Sequence, residues 1–425
     1  MRPAYVLLLA LALLVVLALA APTGLELAGY RLQKLDEITD TTLDFSTDGS
    51  PPFEASAALA EPTAQAEPAD GESSLDVEPT AEAATADAPR VRNIILLIGD
   101  GMGFSQLAAA RYATVGPNGR LTLDRFPVTG WSFTHSAANL YTDSAAGATA
   151  LATGHKTVPG AVSVDADGQS LETLAEKAAA AGKAIGLVTD SYFLDATPSA
   201  FIAHRASRRD TAGLLDDFSS ADVHVLLGET REGIENDPAW PDAVRRFENR
   251  GSTIGRTLDE LSAAGAEAPL LGLFPEGAVG DPEAAPTLVD LASLALERLQ
   301  SDPDGFFLMV ETEETDTYSH RNVFDRTIAG VVDLDRVARL MIDFARTDGD
   351  TLVLVTADHD TGGLALLDGA DGEAISIRWA SHGHTAEPVP VLAYGAGAED
   401  FVGVLDNTEV GRTMQTLAGL GSAAP

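Results

Sequence analysis

From Val91 onward the chain alternates short, almost wholly apolar runs with longer amphipathic or Ala-rich stretches, and no other feature narrows its fold as far. NIILLI (Asn93–Ile98), AIGLVT (Ala184–Thr189), VHVLLG (Val223–Gly228), FFLMVE (Phe306–Glu311), TLVLVT (Thr351–Thr356) and VPVLAYG (Val389–Gly395) read as buried strands. SLETLAEKAAAAG (Ser170–Gly182) and TIAGVVDLDRVARLMIDFAR (Thr327–Arg346) read as helices between them. Alternation of this kind predicts an α/β fold with a largely parallel sheet covered by helices on both faces. Ligands of such sheets gather beyond the C-terminal ends of the strands, so those ends are where chemistry is expected.

Acids and histidines fall there. NIILLI runs into GDGMG, which sets Asp100 between glycines that let a ligand approach the backbone. FFLMVE ends in Glu311 and continues TEETDTYSH, where Asp316 and His320 stand four apart and share one face of a helical turn. TLVLVT leads to the adjacent donors Asp358 and His359, and SHGHTAEPVP places His382 and His384 just before the last strong strand. DATPSAFIAHRASRRD supplies Asp195 and Thr197, oxygen donors suited to Mg²⁺, followed by the guanidiniums of Arg208 and Arg209. In TDSAAGATALATG, Ser144 opens a helical run of small residues, where a helix cap and an activated nucleophile are both open readings. Taken singly, each piece also has a plainer reading: a turn aspartate, a capping acid or a surface ion-pair partner.

Composition bounds the rest. With no cysteine, the chain has neither disulfides nor a thiol nucleophile, so any metal must be held by carboxylates, imidazoles and hydroxyls. A net charge of −37 disfavours nucleic acid and anionic lipid as partners. Fourteen acids and no Lys or Arg lie between Leu35 and Pro89, yet the chain from Arg90 onward still carries −25. Residues 1–21 form an apolar segment with an Ala-x-Ala-like end, expected to be a signal peptide or, left uncleaved, a membrane anchor. Export to the periplasm or exterior, or tethering at the membrane, follows. Residues 22–89 read as a largely disordered acidic linker, and 90–425 as the catalytic domain.

The motifs GDGMG, TDSAAGATALATGHKT, DATPSAFIAHRASRR, VETEETDTYSH, TADHDTGG and GHTAEPVPV, in this order, resemble those of the alkaline phosphatases, over about Asn93 to Gly395. The resemblance implies a three-layer α/β/α sandwich and hydrolysis of phosphate monoesters through a phosphoserine, with two Zn²⁺ and one Mg²⁺. By the same resemblance Ser144 would be the nucleophile and Arg208 the phosphate clamp, with Arg209 as the fallback; Asp143 has two equal readings, orienting Arg208 and capping the helix. One zinc would be held by Asp316, His320 and His384, and the other by Asp100, Asp358 and His359. Magnesium would take Asp100, Thr197 and Glu311, with Asp195 acting through water. Asp316 is followed here by Thr-Tyr-Ser, where the best-known bacterial members have a Lys and an Asp. Dimers are common in the family. The competing readings are a phosphodiesterase or other phosphohydrolase on the same scaffold, and a non-catalytic acidic surface protein.

Overall fold

The structure, a computed structural model, describes residues 91–279, 286–369 and 374–421, together with an antiparallel pair formed by Glu26–Leu27 and Tyr30–Arg31. The apolar segment over residues 1–21 and the rest of the acidic 22–89 stretch lie outside the described residues. No helix among the described residues is long and apolar enough to cross a membrane.

Ten strands build one sheet: β1 (Asn93–Gly99), β2 (Val128–Phe133), β3 (Ala184–Tyr192), β4 (Val225–Glu229), β5 (Thr253–Gly255), β6 (Leu270–Phe274), β7 (Phe306–Thr312), β8 (Thr351–Thr356), β9 (Val389–Gly395) and β10 (Gly403–Asp406). Their spatial order is β10-β2-β9-β8-β1-β7-β3-β4-β6-β5. β9 pairs antiparallel with both neighbours, and every other pairing is parallel. All six runs expected to be strands are strands. The helix expected over Ser170–Gly182 is shorter, Leu174–Ala180, because Thr173 and Glu176 close a capping box that fixes its start. The one expected over Thr327–Arg346 runs longer, Phe324–Asp348, and stops at Gly349 in the left-handed conformation.

The central strand β1 shows why the sandwich has three layers. Ile94, Leu96 and Ile98 pack with Ala145, Leu151, Phe201 and Met414 on one face of the sheet, whereas Ile95 and Leu97 pack with Ala109, Leu291 and Leu334 on the other. Strand periodicity of two sends neighbours to opposite faces, and here both faces are core. Each such side chain contributes roughly 1.5–3 kcal/mol by leaving water. This rigid centre fixes where β1, β7, β8 and β3 end, and β9 enters from that same edge because it runs the other way.

Candidate active site

Asp100 leaves β1 through a sharp turn in which Gly101 has φ +68°. A Cβ at Gly101 would lie 2.8 Å from Thr361 Oγ1 and 2.9 Å from Asp316 Oδ1, so only glycine fits both the backbone conformation and the space. Its N–H donates to Asp358 Oδ1 at 3.2 Å, tying the end of β1 to the end of β8. Asp316 and His320 lie on the helix Glu314–His320 that follows β7, with His320 Nε2 3.2 Å from Asp316 Oδ2. His384 lies in the segment that leads into β9, paired through Thr361↔His384 with the short strand after His359.

Hydrogen bonds decide which ring nitrogens carry lone pairs. His320 Nδ1 donates to the His382 carbonyl (2.6 Å) and His384 Nδ1 to the Thr142 carbonyl (2.8 Å), which in the neutral rings leaves both Nε2 atoms as acceptors. Those two Nε2 atoms are 3.1 Å apart, and His384 Nε2 is 3.7 Å from Asp316 Oδ1. Thr361 Oγ1 donates to Asp316 Oδ1 and so accepts from His359 Nδ1 at 3.2 Å. His359 Nε2 is then a third acceptor, 3.3 Å from Asp358 Oδ2, 3.5 Å from Asp100 Oδ1 and 3.4 Å from Ser144 Oγ. Asp100, Asp358 and His359 present donor atoms within 4.8 Å of one another, as do Asp316, His359 and His384.

Lone pairs that converge in this way repel, and a cation reconciles them. Four further details fit one: Asp100 Oδ1, Asp358 Oδ2, Glu311 Oε2 and Thr197 Oγ1 are buried with no hydrogen-bond partner. The donor set of imidazole and carboxylate suits Zn²⁺, and the all-oxygen set around Glu311 and Thr197 suits Mg²⁺.

Ser144 begins the fully buried helix Ser144–Thr153, and its neighbour Asp143 is the N-cap, accepting from Ala146 N at 3.1 Å. Asp143, not Ser144, supplies the cap, and the Ser144 hydroxyl faces His359 Nε2 at 3.4 Å. Arg208 lies half-buried between two carboxylates, with Nη2 2.6 Å from Asp195 Oδ1 and Nη1 3.7 Å from Asp143 Oδ2. Arg209 is exposed, and its backbone N–H donates to Ser207 Oγ at 3.2 Å, so of the two arginines it is Arg208 that lies between the carboxylates. Asp195 caps the short helix Ala196–Ala200 that carries Thr197. A cavity of about 780 Å³ opens onto Asp143, Tyr192, Asp195, Arg208, Arg231 and His384.

Electrostatics follow from burial. The Asp358 carboxyl is pushed up to about 7 by burial and then by Asp316. Burial, then Asp358, holds Asp100 well above the carboxylate range, and burial, then Glu313, does the same for Glu311. Burial and the neighbouring His384 drive His359 well below its ordinary value. Burial opposes ionisation of Asp316 too, but the His320 hydrogen bond and three nearby imidazoles outweigh it and hold it low, while His320 is pulled up to about 9 by Asp316. In Arg208, burial is outweighed by Asp195 and Asp143, which keep the guanidinium charged.

Ser144, Arg208 and the nine candidate metal ligands thus lie at the C-terminal edge of the sheet or in the segments that leave it. Sequence reading did not find Thr361, Arg231 or the buried clamp of Asp360, which accepts from Gln106 (3.0 Å) and Thr385 (2.6 Å) and fixes the His384 segment. Thr361 sits within TADHDTGG and Arg231 just past a strand end, but neither residue type advertises its partner.

Two outcomes are expected. A Cβ at Gly147 would lie 2.7 Å from the Asp358 carbonyl, so Gly147→Ala should shift Asp358 or the helix start and lower kcat/KM by about ten-fold or more, while far-UV circular dichroism stays unchanged. In chelated protein, native His320 keeps its proton to about 9, whereas the unfolded chain has released it by about pH 7.5. The native state therefore binds more protons, and its stability falls as pH rises from 7 to 9. His359 and His384, held low, are neutral in both states there and do not oppose this. Melting temperature of the chelated protein should drop across that window, and added Zn²⁺ and Mg²⁺ should flatten the slope; a flat chelated profile would contradict this account.

Comparison with known proteins agrees with the geometry. A family model described as alkaline phosphatase matches residues 91–376 and 372–420. Alkaline phosphatase 3 of Bacillus subtilis is 30% identical over 412 residues, covering 76% of this chain and 88% of that protein. Alkaline phosphatase of Escherichia coli is 32% identical over 413 residues, covering 79% and 87%. The solved alkaline phosphatase from the Antarctic bacterium TAB5 superposes with a TM-score of 0.71 at 28% identity, over 78% of this chain and 99% of that one. The chain belongs to the alkaline phosphatase family and is a hydrolase of phosphate monoesters.

Proposed function

We propose that Ser144 is the nucleophile of a two-step phosphate monoester hydrolysis. The observation that carries this reading is the position of Ser144 Oγ, at the N-terminus of a buried helix and 3.4 Å from His359 Nε2, among acceptors that require a cation. Asp316, His320 and His384 would hold one zinc, and Asp100, Asp358 and His359 a second. Asp100, Thr197 and Glu311 would hold magnesium, with Asp195 reaching it through water. When bound, these cations favour the Ser144 alkoxide over the hydroxyl and offset charge on the leaving oxygen.

The chain's own residues do the rest. Ser144 Oγ forms a bond to phosphorus as the ester P–O bond breaks, giving phosphoserine and a free alcohol, and water then splits the phosphoserine. The helix N-terminus behind Ser144 favours negative charge on both the oxygen and its phosphate. Arg208 presents a planar fork to the non-bridging oxygens, which suits a monoester dianion better than a diester carrying one charge. Asp143 and Asp195 aim that fork from two anchored positions. The small residues Ala145, Ala146 and Gly147 leave space beside the helix start.

Ser144→Ala should lower hydrolysis of 4-nitrophenyl phosphate by about a thousandfold or more with Zn²⁺ and Mg²⁺ present, and acid-quenched wild-type enzyme should yield a phosphorylated Ser144 peptide by mass spectrometry. Near-full activity in the variant would overturn the assignment.

A further inference from the structure

A contact just outside the phosphate clamp suggests how the clamp is aimed. Asp195 bears two guanidiniums. Its Oδ1 accepts from Arg208 Nη2 at 2.6 Å and from the backbone N–H of Ala196 at 2.7 Å, and its Oδ2 accepts from Arg231 Nη2 at 3.1 Å. Arg231 follows the end of β4, and its guanidinium lies 4.4 Å from the ring centroid of Tyr192, the last residue of the adjoining strand β3. The Arg231 side chain is 56% exposed and that of Asp195 only 12%.

These facts fit a brace. A carboxylate held through only one of its two oxygens can still swing about χ2. Engaging its second oxygen from a different strand removes that freedom, and the ring of Tyr192 restricts the bracing guanidinium in turn. An exposed ion pair of this kind adds little to folding stability, so its value lies elsewhere. Arg208 receives its direction from Asp195 on one side and Asp143 on the other, and a phosphate clamp works only while its fork is held near the productive geometry. We propose that Arg231 is a positioning residue that acts through Asp195 to orient Arg208 toward the phosphate, with Tyr192 as its platform. This rests on the reading of Arg208 as the phosphate-binding group.

A double-mutant cycle tests it. Arg231→Ala should lower kcat/KM for 4-nitrophenyl phosphate by about ten-fold and weaken inhibition by inorganic phosphate in proportion, with an unchanged melting temperature, and Arg231→Lys should recover part of the loss. In an Arg208→Ala background the same change should have almost no further effect, because the group it orients is gone. Additive losses would mean that Arg231 meets the substrate directly, and no loss in the single variant would mean that it braces nothing; either overturns the inference while leaving Arg208 in place. If Arg208→Ala itself leaves phosphate inhibition unchanged, the underlying reading of the clamp falls, and the inference with it.

Discussion

The constraint on which this structure depends is the convergence of acceptors at one edge of the sheet. Three imidazole Nε2 atoms and the carboxylates of Asp100, Asp316 and Asp358 face one another across 3.1–3.7 Å, with most of the partners that would satisfy them assigned to the far sides of the same groups. Backbone carbonyls of Thr142 and His382, and the hydroxyl of Thr361, take the outward ring protons and so turn the lone pairs inward. Without cations such an arrangement is unfavourable: the raised carboxyls are its visible cost, and the proton that Asp316 holds on His320 relieves part of it. Much of the fold can be understood as the rigidity needed to keep these groups from relaxing apart. A ten-stranded sheet packed on both faces supplies it, because strand ends cannot shift without disturbing two cores.

Reversal of a single strand matters to that geometry. With every strand parallel, each connection would return across a face of the sheet, and the segment before β9 would start at the far edge. Running antiparallel, β9 begins beside the site, so the residues just before it reach the helix Glu314–His320, with His384 Nε2 3.1 Å from His320 Nε2. The pair Thr361↔His384 and the Asp360 clamp then hold it against β8. His359 and His384 stack with centroids 3.8 Å apart as a result.

How much of this was legible in the sequence varies with burial. Central strands are apolar throughout because both faces are core, so β1, β7 and β8 announce themselves, and the donors one or two residues beyond them follow. Strands toward the two ends of the sheet are different. β2 alternates exposed Thr129, Trp131 and Phe133 with small buried residues and a glycine, and β5 has three residues, so neither carries a strong pattern. β6 is fully buried, but Gly272 interrupts it and Pro269 and Pro275 bracket it. Within the site, ligand types and spacing could be read, whereas partnerships could not. Nothing local to Asp195 indicates that it joins Arg208 to Arg231 thirty-six residues away, and nothing at Thr361 shows that its hydroxyl sets the tautomer of His359.

The acidic balance of the chain sharpens what the site must accomplish. A protein with a net charge of −37 repels a phosphate dianion at a distance, and screening removes only the part of that repulsion beyond about 8 Å at physiological ionic strength. Close to the cavity the sign has to reverse. Arg208, Arg209 and Arg231 are gathered at its wall, in a chain with only 27 basic residues, yet Asp143, Asp195 and Glu313 line the same wall and offset them. Protein charge alone therefore leaves the cavity wall close to neutral, and the buried carboxyls of Asp100, Asp358 and Glu311, pushed toward their uncharged form, add no positive charge to it. On the proposed reading, cations held by these carboxylates would do more than activate Ser144: they would make the cavity positive enough to attract substrate, so chemistry and capture would rest on the same ligands.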